Sequence, residues 1–310
     1  MLGLMQDFQL LTHPILDPGA LKHGEREMVT RSVDGHIRRT TLAAVRERAL
    51  KTAKALENEG VRLGDRIATM AWNTERHVEV WFGIMGIGAV CHTLNPRLFP
   101  EQLVYIVNHA EDRILFVDTT FLPLIEALQD KLPTVEKYIV LTDAQNMPEH
   151  SLRNAVAYED WIAAVDSDFA WKEFDENTAA ALCYTSGTTG NPKGVLYSHR
   201  SNVLHGLLVN QPDVFGLQSQ DNMLAIVPMF HANAWALTFA VPAAGAKLVM
   251  PGPAMDGPSI YSMLEEEKVS CTAAVPTVWL GLLQHLEETG KKLPYLKRGV
   301  VGGAACPPMR

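Results

Sequence analysis

The densest run of chemistry-bearing residues is Tyr184-Thr185-Ser186-Gly187-Thr188-Thr189-Gly190-Asn191-Pro192-Lys193-Gly194. The hydroxyls of Thr185, Ser186, Thr188 and Thr189 can donate to phosphate oxygens. Glycines at 187, 190 and 194 reach conformations that other residues resist, and let a polyanion approach the main chain closely. Successive amides in such a loop form an anion-binding nest, and Lys193 adds one mobile positive charge. A plain surface turn is the competing reading, because Ser, Thr, Gly and Pro all form turns. Hydroxyl density, the lysine and the extended flanks together favour phosphate binding. The run is not a Walker A loop, which ends Gly-Lys-Ser/Thr and opens a helix. Here Pro192 precedes the lysine, Gly194 follows it, and Val195-Leu196-Tyr197-Ser198 looks extended. The expected arrangement is strand, loop, strand, with no helix dipole aimed at the phosphate.

Two further constellations carry chemistry. In Met229-Phe230-His231-Ala232-Asn233-Ala234-Trp235, a histidine and an indole stand four apart, and on a helical turn they would share one face. A core helix entry with a satisfied histidine is the plain alternative. Gly302-Gly303-Ala304-Ala305 follows a strand-like run, and small residues there let a flat ring lie against the backbone. An ordinary strand-to-helix turn competes with that reading. The remaining signals are weak. His199 and Arg200 follow the loop and either reach phosphate or sit at a helix start, whereas His77, His92, His109 and His205 read as structural. No histidine spacing suggests zinc, and Glu265-Glu266-Glu267 reads as a solvated helix face. No GxSxG nucleophile elbow occurs.

The elements that must position these residues alternate. Arg66–Met70, Ile114–Val117, Tyr138–Leu141 and Ala180–Tyr184 read as strands, and Pro100 starts a helix bearing Leu103, Val104, Ile106, Val107 and Ala110. Phe121, Leu122, Leu124, Ile125 and Leu128 mark another helix, and Val80–Cys91 is a buried helix running into a strand. Ser198 is placed to cap a helix, and Met223–Val227, Lys247–Met250, Cys271–Val275 and Gly299–Val301 are further strands. This alternation predicts an α/β fold with mostly parallel sheets flanked by helices. The 142–177 segment, with Pro148 and scattered charges, is the expected junction between subdomains 1–170 and 171–310.

Composition sets the outer bounds. At 310 residues and 47% hydrophobic, the chain can bury a core without disulfide or metal staples. A net charge of −8 argues against a mainly nucleic-acid-binding surface. Cys91, Cys183, Cys271 and Cys306 stand far apart, so they form no CxxC pair and read as buried thiols in a reducing compartment. The N-terminus has no signal-peptide pattern and no apolar run is long enough to span a bilayer, so a cytoplasmic protein without membrane insertion is expected.

The run YTSGTTGNPKGVLYSH resembles the phosphate-binding signature of the adenylate-forming superfamily, which holds acyl-CoA synthetases, luciferases and peptide-synthetase adenylation domains. The 71–116 segment and VPMFHANAWA (227–236) resemble medium-chain fatty acyl-CoA ligases and ligases that activate 3-methylmercaptopropionate. The resemblance covers essentially the whole chain, as an incomplete N-terminal adenylation (AMP-binding) domain spanning 1–310. It implies that a carboxylate attacks the α-phosphorus of ATP to give acyl-AMP and pyrophosphate, after which coenzyme A displaces AMP. It implies that Ser186, Gly187, Thr188, Thr189, Gly190 and Lys193 hold the phosphates, with Thr185 near Mg2+. His231 would lie beside the adenylate phosphate, Trp235 and Gly302 on the acyl side, and Gly303, Ala304 and Ala305 along adenine. Lys193 and His231 are the expected catalytic residues. The implied partners are a carboxylic acid, ATP and CoA, with a homodimer as a further expectation. The family's Tyr-Gly-x-Thr-Glu motif, ribose-binding aspartate and mobile C-terminal domain with its lysine are missing from the sequence. The expectation is a fragment with little ligase activity alone. A short protein that binds nucleotide or acyl ligand without catalysis is the alternative of a different class.

Overall fold

A computed structural model describes residues 1, 3–185 and 191–305. In chain order its strands are β1 (Glu27–Arg31), β2 (Ile37–Thr41), β3 (Arg66–Met70), β4 (Val90–Thr93), β5 (Ile114–Val117), β6 (Lys137–Val140) and β7 (Ala155–Ala157). They continue as β8 (Ala179–Thr185), β9 (Lys193–Ser198), β10 (Asn222–Ala225), β11 (Lys247–Met250), β12 (Cys271–Ala274) and β13 (Arg298–Val301). The α-helices are α1 (Leu16–Lys22), α2 (Leu42–Asn58), α3 (Glu75–Gly86), α4 (Pro100–Ala110), α5 (Leu122–Leu128), α6 (Tyr158–Ala163), α7 (His199–Val209), α8 (Leu237–Ala244), α9 (Gly257–Glu266) and α10 (Pro276–Thr289).

The strands form two sheets, in the orders β7-β6-β5-β3-β4-β8-β9 and β13-β12-β10-β11-β1-β2. Among the described residues only the β1–β2 and β8–β9 pairs are antiparallel. The predicted α/β architecture therefore holds, with one hairpin on an edge of each sheet.

The sheets cut across the expected division at residue 170. β1 and β2, early in the chain, join β11 of the late strands, and β8 and β9, beyond 171, join β4 of the early ones. Parallel strands need crossover connections, so neighbours in a sheet need not be neighbours in sequence.

Helix starts follow local chemistry. Thr41, Thr74, Ser198 and Asp256 each accept an amide from the first turn of α2, α3, α7 and α9. Pro100 and Pro276 begin α4 and α10, where a missing N–H costs nothing.

The predicted buried helix is α3, every residue of which is buried. Its Trp81 and Phe82 pack on Phe239 of α8 with ring centroids 5.9 Å apart in both cases, which joins the layers of the two sheets. At Gly83 a Cβ would lie 2.6 Å from Thr52 of α2, so the close approach of those helices requires glycine.

The expected strand 223–227 stops at Ala225. Buried Asn73, beyond the end of β3, takes over its hydrogen bonding. Its Nδ2 donates to the carbonyls of Ala225 (2.9 Å) and Val227 (2.8 Å), and its Oδ1 accepts the Met229 amide (2.8 Å). One side chain thus pins the end of a strand in one sheet to the end of a strand in the other.

Candidate active site

The ends of β8 and β9 hold the phosphate-loop sequence as expected. The strands pair antiparallel to their tips, Tyr184 against Gly194 and Thr185 against Lys193. The described residues on either side of the loop are therefore strand, and β9 rather than a helix follows it. Thr185 and Lys193 are both exposed. Ser186, Gly187, Thr188, Thr189 and Gly190 lie outside the described residues.

The base of this hairpin is anchored by a column of side chains. The Tyr184 ring sits on Gly194, where a Cβ would come within 3.2 Å of the Tyr184 Cζ. The Tyr184 hydroxyl hydrogen-bonds His109 Nδ1 on α4 at 2.6 Å. Beneath it lies His92, its ring centroid 5.2 Å from that of Tyr184, paired with Asp112 at 2.7 Å; both are fully buried. Burial pushes the Asp112 carboxyl up, against the opposing pull of His92. Sequence reading placed these histidines as structural and missed that they support the loop.

The motif after β10 departs from expectation. His231 and Trp235 do not share a face of a right-handed turn. Residues 232–236 all have left-handed φ, from 45° at Ala232 to 61° at Ala236. The right-handed helix α8 begins only at Leu237. Left-handed backbone costs L-residues about 1–2 kcal/mol each, so surrounding contacts must hold the turn. Asn233, which tolerates this conformation best, supplies them: buried, it donates to Asn202 Oδ1 (3.0 Å) and accepts from the Cys183 thiol (3.6 Å). Cys183 stands two residues before Thr185, so this turn is tied directly to the phosphate hairpin.

His231 is exposed and lines a cavity of about 320 Å³ between the carboxyl ends of the two sheets. Asn95 and Arg97, after β4, line it together with Phe230, Val275 and Thr277. Most of its wall is apolar. Gly303 takes a φ of +79°, and Gly302 lies flat under the Trp235 indole. A Cβ on Gly302 would meet the ring at 2.5 Å. The structure thus brings Trp235 and Gly302 together, and leaves Ala304 and Ala305 exposed beside them. Sequence reading missed Asn73 and Asn233. Their only signal was an asparagine next to an apolar residue, too common to single out.

Among the described residues no three His, Cys, Asp or Glu side chains meet as a metal site. Thr185 offers one hydroxyl, which suits Mg2+ held chiefly by phosphate oxygens and water. No helix among the described residues is long and apolar enough to cross a membrane.

Comparison with known proteins agrees with this architecture. The model of the family described as AMP-binding enzyme matches residues 17–310. The chain is 46% identical over 308 residues to a 3-methylmercaptopropionyl-CoA ligase of Ruegeria lacuscaerulensis, covering 99% of this chain and 57% of that protein. It is 46% identical over 307 residues to a medium-chain-fatty-acid–CoA ligase of Ectopseudomonas oleovorans, covering 99% and 56%. The crystal structure of the anthranilate CoA ligase AuaEII with anthranoyl-AMP superposes with a TM-score of 0.85 at 26% identity, over 97% of this chain and 57% of that one. The chain therefore spans a little over half the length of the curated relatives it matches.

Proposed function

The chain belongs to the AMP-binding enzyme family, and on that premise we propose that it carries the nucleotide-holding part of an ATP-dependent acid–thiol ligase. The substrate class we propose is a carboxylic acid with a short or medium apolar tail, a medium-chain fatty acid or 3-methylmercaptopropionate. The reaction joins acid and ATP into acyl-AMP and pyrophosphate, and coenzyme A then takes the acyl group as a thioester. The observation that carries this reading is the paired hairpin, which fixes Thr185 and Lys193 opposite one another at the mouth of a loop rich in glycine and hydroxyls.

The first step brings two anions together, so its barrier is largely electrostatic. Lys193 offsets charge on the phosphates, and amides and hydroxyls of 185–190 receive the triphosphate. His231 stands at the cavity wall, where its imidazole can donate to a phosphate oxygen of the adenylate. Small residues 303–305 leave room for adenine, and the indole of Trp235 walls the acyl side. Thr185 would offer a hydroxyl to a bound Mg2+, which would supply charge neutralisation at the phosphates.

Titration of the chain with ATP and with a non-hydrolysable acyl-adenylate mimic tests this reading. Saturable binding, lost on replacing Lys193, is expected. Pyrophosphate release by the full-length enzyme with a panel of carboxylic acids then ranks substrates. A preference for amino acids or aromatic acids would overturn the assignment of acid class.

A further inference from the structure

The cavity that holds His231 carries a charge with no counterpart. Arg97 lines it, and among the described residues no Asp or Glu does. The Arg97 amide donates to Asn95 Oδ1, but its guanidinium makes no hydrogen bond or ion pair among the described residues. Apart from Arg62, the other described arginines each reach a carboxylate, a carbonyl or a hydroxyl. In a chain of net charge −8, acids are plentiful, and a guanidinium kept clear of them is open to an anion from outside.

The backbone fixes where Arg97 stands. β4 ends at Thr93 and α4 starts at Pro100. Between them Asn95 closes a turn, its carbonyl accepting the Leu98 amide at 3.2 Å and its Oδ1 the Arg97 amide at 3.0 Å. Pro96 restricts the residue between them. β4 runs parallel to β8, with Thr93 opposite Cys183, so this turn and the phosphate hairpin leave the sheet at the same end. Ile226, Phe230, Val275 and Val278 give the cavity its apolar walls. Val275 also packs close to Gly303, where a Cβ would lie 3.1 Å from it, so the cavity abuts the contact between Gly302 and Trp235.

We propose that Arg97 selects a carboxylate for this cavity, its guanidinium pairing with the carboxylate of the acid substrate while the apolar tail lies along Ile226, Phe230, Val275 and Val278. This role rests on the acid–thiol ligase reading for the identity of the ligand. A planar guanidinium offers two parallel hydrogen bonds that match a carboxylate, and they match a phosphate as well. The walls decide between the two. An apolar lining favours an anion that carries an apolar body, and the triphosphate already has the hairpin rich in glycine and hydroxyls. The cavity of about 320 Å³ equals roughly ten or eleven waters at about 30 Å³ each, which is room for the ten non-hydrogen atoms of octanoate.

The test titrates octanoate and octanamide into the 310-residue chain by calorimetry at pH 7. The two ligands share a tail and differ in charge. The expected result is saturable octanoate binding at least tenfold tighter than that of octanamide. Arg97→Gln should weaken octanoate at least tenfold and leave octanamide, ATP and the melting temperature unchanged. Arg97→Lys, which keeps the charge and loses the fork, should recover part of the octanoate affinity. Equal affinity for the two ligands, no octanoate saturation in the millimolar range, or indifference to Arg97→Gln in a folded variant would each overturn the proposal. So would an Arg97→Gln variant that loses ATP and keeps octanoate, because the guanidinium would then serve the nucleotide. Should that variant fail to fold, the two ligands on the unaltered chain still decide. Failure of the nucleotide reading shows separately, as absence of ATP binding by the unaltered chain, and leaves the octanoate comparison intact.

Discussion

Replacing Asn73 with alanine removes a side chain that bridges strand ends of both sheets. Three hydrogen bonds disappear, to the carbonyls of Ala225 and Val227 and from the amide of Met229, at 2.8 to 2.9 Å. At a net contribution of about 0.5–1.5 kcal/mol each, they account for roughly 1.5–4.5 kcal/mol. Asn73 is 1% exposed, so water cannot replace it, and the Met229 amide is left buried without an acceptor. That orphaned donor moves the expected loss to about 3–5 kcal/mol. Asn73→Asp distinguishes lost bonding from lost volume. It keeps the shape but turns an oxygen toward two carbonyls, so it should destabilise at pH 7 at least as much as alanine and recover partly in acid, where a protonated carboxyl donates again. Equilibrium urea unfolding, followed by the fluorescence of the six tryptophans, measures both variants. A loss under about 1 kcal/mol for alanine, or a wild-type midpoint for aspartate, would refute this account of how the sheets are joined.

Lys193→Ala should weaken ATP binding at least tenfold, a loss of about 1.4 kcal/mol, with little change in melting temperature; unchanged affinity in a calorimetric titration would count against the hairpin as the phosphate site. Tyr184→Phe keeps the ring on Gly194 and deletes the bond to His109, worth about 1 kcal/mol, so ATP should bind roughly fivefold more weakly while the fold stays intact. Gly302→Ala places a Cβ where the Trp235 indole lies and should cost about 1–3 kcal/mol in urea unfolding, together with altered tryptophan emission. Burial pushes the His77 imidazole down from 6.5 to about 4. Between those values the unfolded chain holds a proton that the folded chain does not. The stability this group contributes is therefore present above pH 6.5 and drains away as pH falls toward 4. Between pH 7 and pH 5 the wild type should lose roughly 2 kcal/mol more than His77→Gln, measured by urea midpoints; parallel losses would refute the buried, neutral assignment.

The parts of the fold governed by local signals were legible. The proline helix start at Pro100, the Ser198 cap and strands such as β3 and β5 follow from short-range patterns and stand where the residues indicated, whereas β1, β2 and β7 were not read and the strand at 223 ends early. The strand–loop–strand setting of Lys193 followed from Pro192 and the extended run after it. What escaped the sequence depends on distant partners. The assignment of β1, β2, β8 and β9 to sheets is decided by crossovers, so a linear cut at residue 170 divides elements that pair. The hand of the turn at 232–236 is decided by Asn202 and Cys183, which stand well apart in the chain, so spacing alone suggested an ordinary helix. Asn73 and Asn233 declare themselves only once two sheets are assembled around them.

A segment wound against the chirality of its own building blocks admits few occupants. Valine, isoleucine or threonine at 232, 234 or 236 would crowd the backbone, whereas glycine, or D-alanine installed by chemical ligation, would relax it. The indole at 235 therefore rides on a mount that conservative mutation cannot easily reshape. Enlarging or shrinking the space around that ring is an engineering task for the opposing wall, where small side chains offer room to work, and a library that randomised the mount itself would return mostly unfolded clones.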